Sequence, residues 1–394
     1  MGGQGQSGLL EEIYTRYPTR QYKDEHWAGF WSECKKVGLS LKVIRPFLEK
    51  KGFNPRPKEE PKLISKTGRK TDEENADVIF FVSTFCARAK KAALSLLKRG
   101  LSVKVFALRP TEVEPYLPQP NKFVEKDIAG ILHRLKPSVV HIHNPPDWLT
   151  VRVREHFSGT IIHDFHDSAY IAHGSETFRD WEQKASEAAD ILVFATSGMR
   201  SEMLRYLKTK KPSYVVPNYP FLLPMSIRKD RKLRDYDHIP HGVFIGSLYN
   251  SENAKEFQKW IADQPEGWKL HIHTNYVFLD HSTIWGRNIA RERQLELLEI
   301  PTYLRRYDFG IVDGSTSRQA WYSMPNKLYD YLSAGLPVLV HPTRRHCADF
   351  VEKRGWGITS AKATRKHVEA LLDIRVEWKE CISRKVWEVY EDVF

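Results

Sequence analysis

The chain has 394 residues, 41% of them hydrophobic and 28% charged, with a formal net charge of +12. That length exceeds one ordinary domain and fits two of about 150–200 residues, and no apolar run reaches the roughly 18 residues of a membrane-spanning helix. The positive balance points to an anionic partner such as a nucleotide, a nucleic acid or an acidic lipid.

Residues 1–75 read as a basic, partly helical extension. The opening Met-Gly-Gly-Gln-Gly-Gln-Ser-Gly spells Gly-x-Gly-x-x-Gly, but no strand precedes it, so a flexible tail is expected. It has no apolar signal-peptide core, and Gln6 stands where a myristoylation site wants Ser or Thr. Trp27, Phe30, Trp31, Cys34, Val37, Leu41, Ile44 and Leu48 recur at helical spacing, with Lys35, Lys36, Lys42, Lys50 and Lys51 on much of the other face. Such a helix either packs on the main body or docks on an acidic lipid surface or nucleic acid. A Pro- and Lys-rich linker follows at 54–70.

Strands and helices then alternate. Apolar runs predict strands at 77–83, 103–108, 139–142, 161–163, 191–194 and 214–216, and helices at 87–99, 128–135, 178–189 and 197–207. The segment 221–241, with Pro224, Pro240 and mixed charges, reads as a linker. A second set of strands is expected at 242–245, 270–273, 309–312 and 338–340, and an amphipathic helix at 374–394. Alternation of this kind predicts an α/β protein with two Rossmann-like doubly wound domains, at 76–220 and 242–373, and a cleft between them. Cys34, Cys86, Cys347 and Cys381 are isolated, so neither zinc spacing nor a disulfide framework is implied, and a reducing, cytoplasmic setting fits.

Open parallel sheets bind ligands beyond the carboxyl ends of their strands. His141, His143, Asn144 and Asp147 fall there, as do His166 and Asp167, Gly246 and Ser247, and Asp313 to Ser315. His141 and His143 share a strand face, a spacing that suits a metal, but no third ligand is recognisable in the sequence, so no metal is expected. His166 and Asp167 either line the acceptor side or cap the next segment. Residues 324–340, Met-Pro-Asn-Lys-Leu-Tyr-Asp-Tyr-Leu-Ser-Ala-Gly-Leu-Pro-Val-Leu-Val, read as loop, helix, turn and strand. A helix N-terminus suits a phosphate, Lys327 could neutralise a diphosphate, and Asp330 could accept hydrogen bonds from ribose. Pro325, Asn326, Lys327, Leu328 and Asp330 are therefore expected to bind a nucleotide. Asp235-Tyr236-Asp237 lies in a charged linker and reads as coincidence. There is no P-loop and no Gly-x-Ser-x-Gly elbow.

The same segment resembles the donor site of family-4-type glycosyltransferases, which have the two-domain GT-B architecture. The resemblance extends over about 76–394 and includes His141-Ile142-His143-Asn144-Pro145, Val216-Pro217-Asn218 and the glycine-ended strand at 242–248. It implies transfer of a sugar from a nucleotide-diphosphate sugar to a hydroxyl of a saccharide or lipid-linked acceptor, with retention and without metal or other cofactor. It places His143 beside the sugar and Arg88 on the acceptor side, and sends the terminal helix back to the first domain. Acidic lipid or nucleic acid remain partners for the basic extension, with a peripheral membrane location as an option. A base-modifying enzyme of the phage type and a non-catalytic nucleotide-sugar binder are alternatives. Three departures stand out: Tyr322 replaces a Glu, Ser247 an Arg, and Glu252 a Lys. The diphosphate charge is then expected to rest on Lys327, the amides of Gly246 and Ser247, and Arg287 or Arg318.

Overall fold

The computed structural model describes residues 75–221, 232–246, 257, 267–273, 289–292, 295–315, 317–362, 364–391 and 393–394. These belong to one compact unit, Arg69–Phe394. The expectations for the extension, for most of the linker and for Ser247 and Arg287 lie outside the described residues.

The first sheet has seven parallel strands in the order β3-β2-β1-β4-β5-β6-β7. They are β1 Val78–Val82, β2 Val103–Ala107, β3 Asn121–Lys122, β4 Val139–His143, β5 Thr160–Phe165, β6 Ile191–Phe194 and β7 Ser213–Val215. Helices α1 Ala87–Lys98, α2 Ile128–Leu135, α3 Trp148–Arg154, α4 Ala169–His173, α5 Glu176–Ala188 and α6 Ser197–Tyr206 connect them. The central strands are apolar on both faces because helices cover both; β1 and β4 are buried throughout.

The second sheet has six parallel strands in the order β10-β9-β8-β11-β12-β13. They are β8 His241–Ile245, β9 Lys269–His273, β10 Ile289–Glu292, β11 Phe309–Val312, β12 Val338–Val340 and β13 Gly357–Thr359. A short α7 Arg234–Asp237 precedes them and contains the Asp-x-Asp sequence. With them go α8 Ile300–Leu304, α9 Asn326–Ser333, α10 Arg345–Glu352 and α11 Arg365–Leu372, and α12 Ile382–Tyr390 closes the chain. In each sheet the strand order reverses at one place, between β1 and β4 and between β8 and β11. Those are the crevices where a doubly wound fold receives ligand.

The terminal helix is shorter than the 374–394 expected from its periodicity. Trp378 instead packs against Tyr219, Tyr329, Phe350 and Trp356, and its Nε1 donates to Glu380 O at 2.6 Å. That anchor holds the segment before Cys381 out of helical conformation. Helix α12 packs on α1, with Ile382 N–H donating to Pro220 O at 3.1 Å and Arg99 4.6 Å from the Trp387 ring. Among the described residues, no helix is long and apolar enough to cross a membrane.

The register of α9 on its sheet depends on one glycine. A Cβ on Gly310 of β11 would lie 2.2 Å from Cγ of Tyr331. The fully buried Tyr331 uses that space to bring its Oη to Ile245 N–H, which donates at 2.8 Å. Gly310→Ala is expected to destabilise the protein by about 1–3 kcal/mol, the usual cost of overpacking, measured as a lower urea midpoint at an unchanged slope.

Candidate functional site

Helix α9 starts at the carboxyl edge of the second sheet, with Pro325 in extended conformation as its N-cap. Lys327 reaches back over the sheet. Its Nζ lies 2.7 Å from Asp313 Oδ1, just past β11, and 3.9 Å from the centre of the Phe244 ring. Gly246 ends β8 at φ +134°, and a Cβ there would sit 3.0 Å from Lys327 Cε. The left-handed backbone and this close approach both require glycine. Burial lowers the Lys327 pKa and Asp313 opposes that; for Asp313, burial raises the pKa and Lys327 and Arg344 more than reverse it. The two therefore stand as an ion pair. Leu328 is fully buried and its N–H donates to Pro325 O at 3.2 Å. Its expected ligand contact is corrected to a core role.

Asp330 and Asn326 face the first domain. Lys91 of α1, itself 1% exposed, lies 3.3 Å from Asp330 Oδ1, 3.2 Å from Asn326 Oδ1 and 3.4 Å from Asn218 O. Burial raises the Asp330 pKa and Lys91 opposes it. The sequence suggests a carboxylate open to ribose; in this structure it ties the domains together. The reason is a partner 239 residues away, which no local pattern reveals.

Arg88 is likewise not exposed to an acceptor. Only 1% exposed, it forks onto Asp164 with Nε to Oδ2 and Nη2 to Oδ1, both 2.8 Å. Its Nη1 donates to Val216 O and to Asn218 Oδ1 at 2.6 and 2.9 Å. Asn144 and Asp147 are also buried. Asn144 Oδ1 accepts from the N–H groups of His166 and Asp167, and its Nδ2 donates to Asp147 Oδ1 at 3.1 Å. Asp147 in turn sits 3.2 Å from His163 Nε2. Of these three, Asn144 holds the main chain of His166 and Asp167 from beneath.

His141 and His143 do share a face of β4, with ring centres 4.6 Å apart. His141 Nδ1 is 2.5 Å from Tyr390 Oη of α12. His143 is 2% exposed, and neither of its ring nitrogens has a hydrogen-bond partner. Burial holds both imidazoles neutral, His143 well below the ordinary histidine value. Asp164 supplies the third group the sequence did not show, so that His141, His143 and Asp164 bring candidate ligand atoms within 4.8 Å of one another. Both Asp164 oxygens already carry the Arg88 fork, however. A divalent ion beside that buried guanidinium would leave two uncompensated positive charges. The chemistry of the donor set thus favours the ion pair over a metal.

At the rim, His166 and Asp167 are partly exposed. Burial lowers the His166 pKa, but Asp167 and the Cys86 thiol outweigh it and raise it to about 9. Burial pushes the Cys86 thiol up, while His166 and the amides of Ala89 and Arg88 bring it down further. Asp167 is met from the second domain by Gln319 Nε2. Thr196 Oγ1 donates to Tyr322 O at 2.7 Å and Asn218 Nδ2 to Met324 O at 3.1 Å. The two sheets therefore meet at Asp167 and Gln319, at Thr196 and Tyr322, and at Asn218 and Met324. Arg318 points away, paired with Glu202 at 2.8 Å on the surface. The cation that sequence reading missed is Arg344, between β12 and α10; its position past a strand's carboxyl end was the available signal.

The fold is similar to that of solved structures, of which two illustrate it. A glycosyltransferase from Rickettsia africae ESF-5 superposes with a TM-score of 0.55 at 12% identity, covering 81% of this chain and 99% of that one. Sucrose-phosphate synthase from Thermosynechococcus elongatus gives 0.54 at 10% identity, covering 80% and 96%. Residues 88–219, about a third of the chain, match Glycosyltransferase Family 4. The fold is that of GT-B proteins, and the family match is confined to the first domain. No curated protein matches by sequence. Fold and match together indicate a glycosyltransferase.

The buried charges make stability sensitive to mutation and to acid. Removing one partner of a buried ion pair costs about 3–5 kcal/mol, so Asp330→Asn and Lys91→Met should each lower stability strongly. The double variant should lose much less than the sum, read from a denaturation cycle. The acid response follows from the histidines. Unfolded histidine takes up a proton below about pH 6.5, whereas His141 and His143 in the fold resist it. Stability should therefore fall as pH drops below that value, and His143→Gln should flatten the fall in melting temperature between pH 7 and 5. A further loss below about pH 4 should remain, because Arg88 keeps Asp164 ionised in the fold against the pull of burial.

Proposed function

We propose that this protein transfers a sugar from a nucleotide-diphosphate sugar to an acceptor hydroxyl, with retention of configuration and without a metal. The observation that carries the reading is the phosphate cradle on the second domain. It combines the N-terminus of α9, the Lys327 ammonium and the Gly246 main chain at the switch point between β8 and β11. A helix N-terminus and a cation beside a bare glycine backbone are what a diphosphate needs.

The nucleotide lies along β8 and α9, with Pro325 and Asn326 at its edge. The sugar points to the first domain. His143 Nδ1 lies 3.4 Å from Asp164 Oδ2, whereas its Nε2 has no hydrogen-bond partner among the described residues; that nitrogen favours a sugar hydroxyl as its partner, since buried polar groups rarely stay unsatisfied. His166 and Asp167 border the acceptor. Within this reading no side chain acts as a strong base: the departing diphosphate takes the acceptor proton on the face where the new bond forms, and the protein supplies position and charge. The acceptor class is a saccharide or a lipid-linked hydroxyl.

The test is thermal-shift screening of the full chain against nucleotide sugars, followed by turnover of the hit. A ligand of the native state raises the melting temperature by mass action. Lys327→Ala should abolish the shift and the turnover, His143→Ala mainly the turnover, and a chelator should change neither. Activity lost in chelator and restored by a divalent cation would overturn the metal-free mechanism.

A further inference from the structure

We propose that Arg344 is the second cation gripping the donor diphosphate, standing in for the arginine and lysine that this chain lacks after the first strand of its second domain. The inference rests on the nucleotide-sugar reading and names the residue that balances its charge.

Among the described residues, charge at the cradle does not balance a diphosphate without a second cation. Lys327 lies there, but Asp313 sits 2.7 Å from its Nζ. Among those residues the pair sums to zero and leaves the roughly half charge of a helix N-terminus for a diphosphate. Arg344 changes that sum. Its Nε donates to the main-chain O of Asp313 at 3.2 Å, and its Nη1 to Ser323 Oγ at 3.2 Å. Both acceptors are neutral. Among the described residues, no carboxylate forms an ion pair with this guanidinium, in contrast to Arg88, Arg154 and Arg318. With Arg344 included, the donor side carries a net positive charge.

The side chain is also held in place. Arg344 follows β12, and its loop is fastened to the loop after β11. Ser315 N–H donates to Thr343 Oγ1 at 3.0 Å, and Thr343 Oγ1 lies 2.9 Å from His341 Nδ1. Those two loops leave the carboxyl ends of adjacent strands. The guanidinium is thus anchored through two nitrogens beside the Lys327–Asp313 pair. A planar fork fixed in this way suits two phosphate oxygens better than a mobile ammonium does.

The experiment is calorimetric titration of the full chain with UDP, GDP, ADP and dTDP and with the matching monophosphates. Arg344→Met should lose about tenfold to a hundredfold in diphosphate affinity, the worth of a charge-assisted hydrogen bond. Its monophosphate affinity should stay within about twofold of wild type, because Lys327 and α9 suffice for one phosphate. Arg344→Lys should fall between the two. Asp313→Asn in the Arg344→Met background restores the net positive charge and should recover part of the diphosphate affinity. Unchanged diphosphate affinity in folded Arg344→Met, or equal loss for mono- and diphosphates, overturns the proposal and leaves Arg344 a loop fastener. If the wild-type chain binds none of the nucleotides, the nucleotide-sugar reading itself fails.

Discussion

Two buried cations on one turn of α1 set the geometry of everything else. Arg88 and Lys91 are each 1% exposed. Burying a charge is tolerable only when it is paired and fully hydrogen-bonded. Arg88 meets that condition with Asp164, Val216 O and Asn218 Oδ1. Lys91 meets it with Asn218 O, Asn326 and Asp330. Asn218 serves both, and passes its own Nδ2 to Met324 O just before α9. One residue at the exit of the first domain therefore couples the first helix of one sheet to the cradle helix of the other. Replacing such ionic contacts by apolar ones often costs little stability; what they fix here is which helix faces which.

The domains then use charge in opposite ways. The first is satisfied internally. Arg88 neutralises Asp164 and leaves His141 and His143 as neutral imidazoles stacked on Phe80. The second carries a paired Lys327 and Asp313 with Arg344 added. A neutral, orphaned imidazole suits an uncharged sugar, and a surplus cation suits a phosphate. The division follows from pairing, since histidines and carboxylates are present in both.

That pairing also marks the limit of what the sequence discloses. The strands were legible because apolar runs and turn residues are local, and β6, β11 and β12 fall where the runs lie. The helix after Pro325 and the turn at Gly246 were legible because Pro325, Asn326 and Lys327 open a helix and Gly246 follows an apolar run. Arg88 and Asp330 misled for one reason. Each looked available at an element's start, and each is taken by a partner 76 or 239 residues away. Asn144 and Asp147 misled in the same way, Asn144 being bonded by the loop after β5 and Asp147 lying beside His163 of β5. The terminal helix was overextended because Trp378 keeps helical spacing while its indole belongs to an aromatic cluster. Arg344 was overlooked because its one local signal, a place past a strand's carboxyl end, is shared by many residues until the adjacent loop is set beside it.

The ties across the cleft are not equally strong. At the hinge they are buried and charged, so that losing a Lys91 or Asp330 contact means leaving a charge unpaired in the interior. Toward the rim they are neutral or wet: Thr196 to Tyr322 O, Gln319 to Asp167, and Arg318 to Glu202, where the arginine side chain is 56% exposed. A neutral hydrogen bond contributes about 1 kcal/mol and an exposed ion pair less. Parting the sheets therefore costs least at the mouth, beside His166 and Gln319, and most at Asn218.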